Sequence, residues 1–300
     1  MRTLIKIFIG FALVFYSCEK TSSNNFNFEE IEEPEIIQPV EDSLIIGKKG
    51  FAITTASGLW PDRVSILKAH WFYTWGEGYF EDLIPDNVEF VPMKWGQWNV
   101  NDAFIASMKS LKEAGKINYL LGFNEPDGEK QANMSVDKAI ELWPKLEEVD
   151  LPLGSPACVN STGDWMQEFM EKAVENDLRV DFVTVHWYGG VSASSFINRL
   201  EETYSLYKKP IWITEFAPAD WTATSPEDNK FSSEQVLAFM QEVLPQLEDL
   251  EYVHRYTWFA FGQTSAAGTS SALFKTDGTL TELGQFYADF KPNLKIELKN

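Results

Sequence analysis

From residue 50 onward the chain alternates between two hydrophobic periods. Short runs rich in β-branched and aromatic residues recur at 50–55, 69–75, 89–95, 119–125, 151–158, 181–188, 210–216 and 255–261, each with the length and composition of a buried strand. Between most of them apolar residues recur at three- and four-residue spacing. In 101–114, for example, Phe104, Ile105, Met108 and Leu111 share one helical face. The segments 137–146, 164–174, 192–207, 233–247 and 280–290 carry the same pattern. Eight strands alternating with helices over about 245 residues predict an α/β fold, a (β/α)8 TIM barrel. The runner-up is a doubly wound open sheet, which calls for a glycine-rich first turn that Thr54-Thr55-Ala56-Ser57-Gly58 matches only weakly. The first two connections are short for full crossovers, so single turns or irregular loops are expected there.

The N-terminus breaks this pattern. Arg2 and Lys6 lead into the apolar run 7–16 and then Ser17-Cys18, the form of a signal peptide over residues 1–17 and too short to span a membrane with flanking anchors. A small residue before Cys resembles the bacterial lipoprotein signal, in which Cys18 becomes the lipidated first residue; Phe15 and Tyr16 stand where Leu and a small residue are usual. Residues 18–46, rich in Asn, Glu and Pro, hold no helical or strand period and read as a flexible linker. One folded domain, 47–300, remains. The lipid is the expected membrane attachment of a monomeric protein in the bacterial cell envelope, on the outer-membrane surface or in the periplasm.

Charge narrows the partners. With 25 Lys+Arg against 45 Asp+Glu the formal net charge is −20, which repels a phosphate backbone and argues against nucleic acid. An uncharged polymer meets no such repulsion, and 11 Trp with 10 Tyr supply flat apolar faces that stack on sugar rings; any single Trp suits a core equally well. Lipidation of Cys18 would leave Cys158 without a disulfide partner, as a small buried hydrophobe. The three His (His70, His186, His254) come without an H-E-x-x-H or C-x-x-C motif, and neither a G-x-S-x-G elbow nor a P-loop is present. No metal and no cofactor are expected.

In such a barrel, chemistry lies at the C-terminal ends of strands. Strand four runs Leu120-Leu121-Gly122-Phe123 into Asn124-Glu125-Pro126-Asp127, and strand seven runs Ile211-Trp212-Ile213-Thr214 into Glu215. An acid closing an apolar strand is costly unless paired or used. One such acid fits a structural ion pair, whereas two at matching heights point to a reaction needing both. Glycosidic cleavage is such a reaction, with one carboxyl protonating the leaving oxygen and another supplying negative charge at the anomeric carbon. Asn124, Tyr188 and Trp258 are then candidates to hold the sugar or the nucleophile, Asn124 only if strand four ends in a bulge.

Leu121-Gly122-Phe123-Asn124-Glu125-Pro126-Asp127 resembles the acid/base motif of the retaining clan of (β/α)8 glycosidases, and Trp212-Ile213-Thr214-Glu215-Phe216 its nucleophile motif. Together with Val91-Pro92-Met93-Lys94-Trp95-Gly96 and His186-Trp187-Tyr188, the set is most similar to glycoside hydrolase family 128, over roughly 47–292. The resemblance implies a retaining, endo-acting β-1,3-glucanase with Glu125 as acid/base and Glu215 as nucleophile. It further implies that Tyr188 bonds the nucleophile, Asn124 the sugar 2-hydroxyl, and that Trp258 floors the cleaved sugar. Trp60, Trp75, Trp95 and Trp187, with Trp98 and Trp221, are expected along the cleft, while Trp143, Trp165 and Trp212 read as core. His186 is either a sugar-binding or a satisfied core residue. Lys94 stands where the motif has an apolar residue and would narrow the glucan accepted if it faced the cleft. Two other functions remain open: a noncatalytic glycan-binding lipoprotein on the same barrel, and a barrel glycosidase acting on another β-glycan.

Overall fold

Parallel strands close into a ring in the computed structural model, which describes residues 47–56 and 58–299; the expected signal peptide, Cys18, the linker up to residue 46 and Ser57 lie outside the described residues. β1 (Lys49–Ala52) pairs with β2 (Trp71–Tyr73) on one side and with β6 (Val253–Phe259) on the other. β3 (Glu89–Phe90) continues beyond β2, and β5 (Ile211–Phe216) and β4 (Val183–Trp187) continue beyond β6. The gap between β3 and β4 is filled by segments 119–125 and 151–158. Their isolated parallel bridges, Met93–Leu121, Leu120–Leu153, Asn124–Ala157 and Gly154–Phe182, complete the circle. First and last strands pair directly, which an open doubly wound sheet does not do. The fold is a (β/α)8 barrel.

Side-chain alternation sorts two cores. Trp71, Tyr73, Val91, Met93, Leu121, Phe182 and Trp212 fill the barrel interior, whereas Phe51, Phe72, Phe90, Ile213, Phe216 and Trp258 point outward into the larger core beneath the helices. Gly50 is required by the inner packing, because a Cβ there would lie 2.5 Å from the Trp71 indole. The outer ring comprises α1 (Trp60–Ile66), α2 (Asp102–Glu113), α3 (Val136–Glu147), α4 (Asp164–Glu175), α5 (Ala193–Tyr207), α6 (Ser233–Asp249) and α7 (Glu282–Asp289). α2 shows why the pattern works: Asn101 caps it by accepting from the Phe104 amide at 3.1 Å, and Phe104, Ile105 and Met108 are buried. Each such burial contributes about 1.5–3 kcal/mol. The expected shortness of the first two connections is visible, since α1 has seven residues and an irregular loop, 74–88, joins β2 to β3.

Candidate active site

Two backbone irregularities aim the acids. β5 carries one residue more than its neighbours: Val185 pairs with Ile213 but His186 with Glu215, and Ile213 pairs with Tyr256 but Phe216 with Trp258. That bulge flips one position, so Ile213 and Phe216 both face outward while Glu215 faces inward. On segment 119–125 the deviation is at Glu125 itself, with φ of 42° in the left-handed region. Its amide still bonds the Ala157 carbonyl at 2.7 Å and that of Asn124 the Trp95 carbonyl at 2.8 Å. Asn124 and Glu125 thereby face the same cleft, as the expected departure from strict alternation required. Left-handed backbone at a non-glycine residue costs about 1–3 kcal/mol and persists where surroundings over-determine it.

The cleft, about 690 Å³, opens at the C-terminal end of the barrel. Trp75, Trp95, Tyr188, Trp221 and Phe259 give it aromatic walls, with Thr54, Asn124, Gln131, Val159 and Ala260 between them, and Glu125 and Glu215 at its floor. Both carboxylates are buried, at 8% and 4% exposure, and carboxylate oxygens of the two lie within 4.8 Å of each other and of a ring nitrogen of His186. Inverting glycosidases separate their carboxyls by about 6.5–9.5 Å to admit a water, whereas retaining ones hold them at about 5–5.5 Å. The spacing here falls on the short side.

The two acids differ in their partners. Three neutral donors surround Glu215: Trp75 Nε1 donates to Oε1 at 2.6 Å, the Tyr188 hydroxyl donates to Oε2, and Tyr73 Oη lies 3.1 Å from Oε1, its one hydrogen divided between that oxygen and the Thr214 carbonyl at 3.0 Å. Burial and then the Glu215 charge keep the Tyr73 and Tyr188 hydroxyls protonated well above the ordinary phenol range, so both remain donors. Three donors solvate an anion, the form a nucleophile must have. Among the described residues Glu125 has a single side-chain partner, Nδ1 of His186 at 2.9 Å from Oε1. The other ring nitrogen, Nε2, stands 3.4 Å from Glu215 Oε1. Burial works against a charged His186, but the charge of Glu215 and the bond to Glu125 outweigh it, and its proton affinity rises above that of an ordinary histidine.

Several expected positions are placed elsewhere. Trp258 is fully buried outside the barrel wall, its Nε1 donating to the Ser271 carbonyl at 2.8 Å and its ring against Phe216; strict alternation along β6 turns it toward the helices and puts Phe259 in the cleft instead. Trp187 follows strict alternation along β4, after the inward-facing His186, and likewise faces outward, stacked on Phe239 at 5.5 Å. Trp60 opens α1 and stacks on Phe72 in the core. Lys94 does not reach the cleft. It lies outside the wall, 3.1 Å from Glu77 and over the Phe104 ring. Trp75, Trp95 and Trp221 do line the cleft, with Trp98 stacked on Trp95 and 56% exposed. Trp143, Trp212 and most of Trp165 are core. Cys158 is buried and free, its thiol pushed up by burial. Sequence reasoning missed Tyr73 and Phe259. Tyr73 carried a usable signal, since Trp71, Tyr73 and Trp75 share one strand parity and the last already stood at a strand end.

Facing carboxylates beneath an aromatic cleft, at the C-terminal end of a closed parallel barrel, define a class: barrel enzymes that cut glycosidic bonds. A family model described as glycosyl hydrolase catalytic core matches residues 50–287, and the chain belongs to that family, within glycoside hydrolase family 128. A subgroup I endo-β-1,3-glucanase of family 128 from Amycolatopsis mediterranei, solved with laminaripentaose, is 33% identical with a TM-score of 0.71, covering 81% of this chain and 98% of that one. A subgroup II endo-β-1,3-glucanase from Sorangium cellulosum is 29% identical with a TM-score of 0.64, over 81% and 98%. Alkali-sensitive linkage protein 1 of Schizosaccharomyces pombe is 32% identical over 258 residues, 82% of this chain; the match spans 45% of that protein's length.

Proposed function

We propose that this protein is a retaining endo-β-1,3-glucanase in which Glu215 attacks the anomeric carbon and Glu125 acts as acid and then as base. The observation that carries the assignment is the asymmetric floor of the cleft, where Glu215 is solvated by three donors and Glu125 bonds to one imidazole. Glu125 protonates the leaving oxygen as Glu215 forms a covalent glycosyl ester, and Glu125 then takes a proton from the water that releases the sugar. Asn124 has a buried Oδ1 without a partner among the described residues and faces the same cleft, which supports contact with a sugar hydroxyl. The open aromatic cleft suits internal cutting of a polymer, and the neighbours solved with laminarin oligosaccharides support β-1,3-glucan as the substrate.

Attachment of a monomer to the bacterial cell envelope through lipidated Cys18 belongs to the same proposal and rests on the N-terminal pattern. Among the described residues no helix is long and apolar enough to cross a membrane. One acyl chain binds membranes weakly, so stable attachment calls for more than one. A Cys18→Ser variant should then leave the membrane fraction, and equal association of both forms would exclude the anchor.

Substrate is tested by product analysis on laminarin beside mixed-linkage glucan, cellulose and mannan. Oligosaccharides of several lengths from laminarin at early times are expected. Turnover of another β-glycan alone would move the specificity while leaving the mechanism in place, and sugar binding without turnover would favour the glycan-binding function.

A further inference from the structure

His186 is wholly buried, lies one residue before the end of β4 opposite the β5 bulge, and bridges the two acids, with Nδ1 at 2.9 Å from Glu125 Oε1 and Nε2 at 3.4 Å from Glu215 Oε1. Among the described residues Nε2 has no hydrogen-bond partner, and Glu215 Oε1 is the acceptor it approaches. A sugar-binding residue would present that nitrogen to the cleft, and a purely structural histidine would have it satisfied by backbone or solvent. Here it faces a carboxylate that three other donors already serve.

We propose that Glu125 and His186 share a single proton, which the resting site holds on the imidazole and which passes from Nδ1 to Glu125 Oε1 as the leaving oxygen draws it. This deepens the double-displacement function proposed above and rests on it. Before transfer the three groups are Glu125 anion, imidazolium and Glu215 anion. After it they are Glu125 acid, neutral imidazole protonated on Nε2, and Glu215 anion. Both arrangements carry a net charge of minus one. When the proton leaves on the departing sugar oxygen and Glu215 loses its charge to the glycosyl ester, the triad still carries minus one, now on Glu125. Glu125 is then the base that deprotonates water, and His186 receives that proton once hydrolysis of the ester restores the Glu215 anion.

Every neighbour points the same way. Glu125, Glu215 and Asp127 are the charged groups that act on the ring, all acidic, and the other titratable groups of the pocket are neutral: Tyr188 donates to Glu215, and Tyr73 divides its hydrogen between Glu215 and the Thr214 carbonyl. The Glu215 charge is the largest influence favouring the imidazolium. Esterification of Glu215 removes that influence at the stage when a proton on His186 would compete with deprotonation of water. A pair with two places for one proton holds it to higher pH than either place alone. His186 therefore acts as a positioning residue through Glu125, and it should widen the pH range over which the acid remains armed.

The test pairs kinetics with spectroscopy on the whole protein. The kcat/KM profile on laminarin is measured for wild type and His186→Gln, beside a dinitrophenyl β-laminaribioside whose leaving group needs no proton. His186→Gln should shift the basic limb on laminarin to lower pH, with a much smaller effect on the activated substrate. Nitrogen-15 spectra of histidine-labelled wild type should show His186 doubly protonated above pH 6.5 in the resting enzyme. In Glu215→Gln the same ring should lose its proton at lower pH. An unchanged basic limb in a folded variant, or a neutral His186 ring throughout pH 5–8 in wild type, would overturn the shared proton. Absence of turnover by wild type on both substrates would instead overturn the proposed function, so the two failures are distinct.

Discussion

The barrel buries charge at both ends, in opposite ways. At the N-terminal end Arg255 meets Glu89 at 2.6 Å, and its guanidinium lies over Trp71, Tyr119 and Trp212 with ring centroids 5.3, 4.6 and 4.2 Å away. One cation answers one anion, aromatic faces cover the cation, and the pair lines a cavity of about 650 Å³ at this end with Asn118 bonded to Glu89. At the C-terminal end two carboxylates face one imidazole beneath an open cleft. Buried charge balanced in this way is structural. Unbalanced charge that is buried is costly, and it persists where a reaction uses it.

The contrast breaks most sharply under substitution. Glu215→Gln keeps shape and removes the nucleophile, so turnover of laminarin should fall by at least about 1000-fold, while thermal unfolding shows a protein as stable as wild type or more so, because one of two facing anions is gone. Activity near wild type would remove Glu215 from the mechanism. At the other end Arg255→Met strands the buried Glu89. Urea denaturation should report a loss of about 3–5 kcal/mol, with kcat of the folded protein close to normal. Adding Glu89→Gln should recover much of that loss, and failure to do so would show that the rings, not the ion pair, set the stability.

Two tryptophans sharpen the same division. Trp258→Ala empties a fully buried outer-core site and should cost about 3–5 kcal/mol of stability. Trp98→Ala, on the exposed ring stacked against Trp95, should leave stability near wild type and weaken oligosaccharide binding by about 1–3 kcal/mol, as read by calorimetric titration with laminarihexaose. A reversal of the two outcomes would return Trp258 to the cleft.

The smallest effects are in pH. Because the folded state raises the proton affinity of His186, its contribution is fully present below the unfolded value of about 6.5 and is lost as pH rises through the folded one. The stability difference between wild type and His186→Gln should shrink across that interval. Lys49 behaves oppositely. Burial pushes it from 10.5 down to about 7, with its Nζ donating to the Tyr287 and Ala288 carbonyls. The unfolded chain holds that proton longer, so wild type should gain stability relative to Lys49→Met between about pH 7 and 10.5.

How far the sequence reaches is visible in the same residues. The eight runs and six helices were legible because each element repeats its period several times, and Glu125 and Glu215 because an acid closing an apolar strand is conspicuous. Segments 119–125 and 151–158 make isolated bridges, a distinction that composition does not encode. Trp258 was misplaced although alternation from Arg255, which faces the barrel interior, turns it outward. The inward aim of Glu215 depends on a one-residue bulge in β5 that its apolar run does not announce. Tyr73 was hidden because a tyrosine in a strand reads as core, and most of its ring is core; its hydroxyl alone belongs to the site.

The division of labour between the two glutamates is tested most directly by intact-mass and peptide analysis of Glu125→Ala mixed with a dinitrophenyl β-laminaribioside. A good leaving group needs no acid, so a glycosyl adduct should form and accumulate on the peptide carrying Glu215, and azide should release it as the β-glycosyl azide, with configuration retained. No adduct, an adduct on another residue, or release of the α-azide would contradict the assignment.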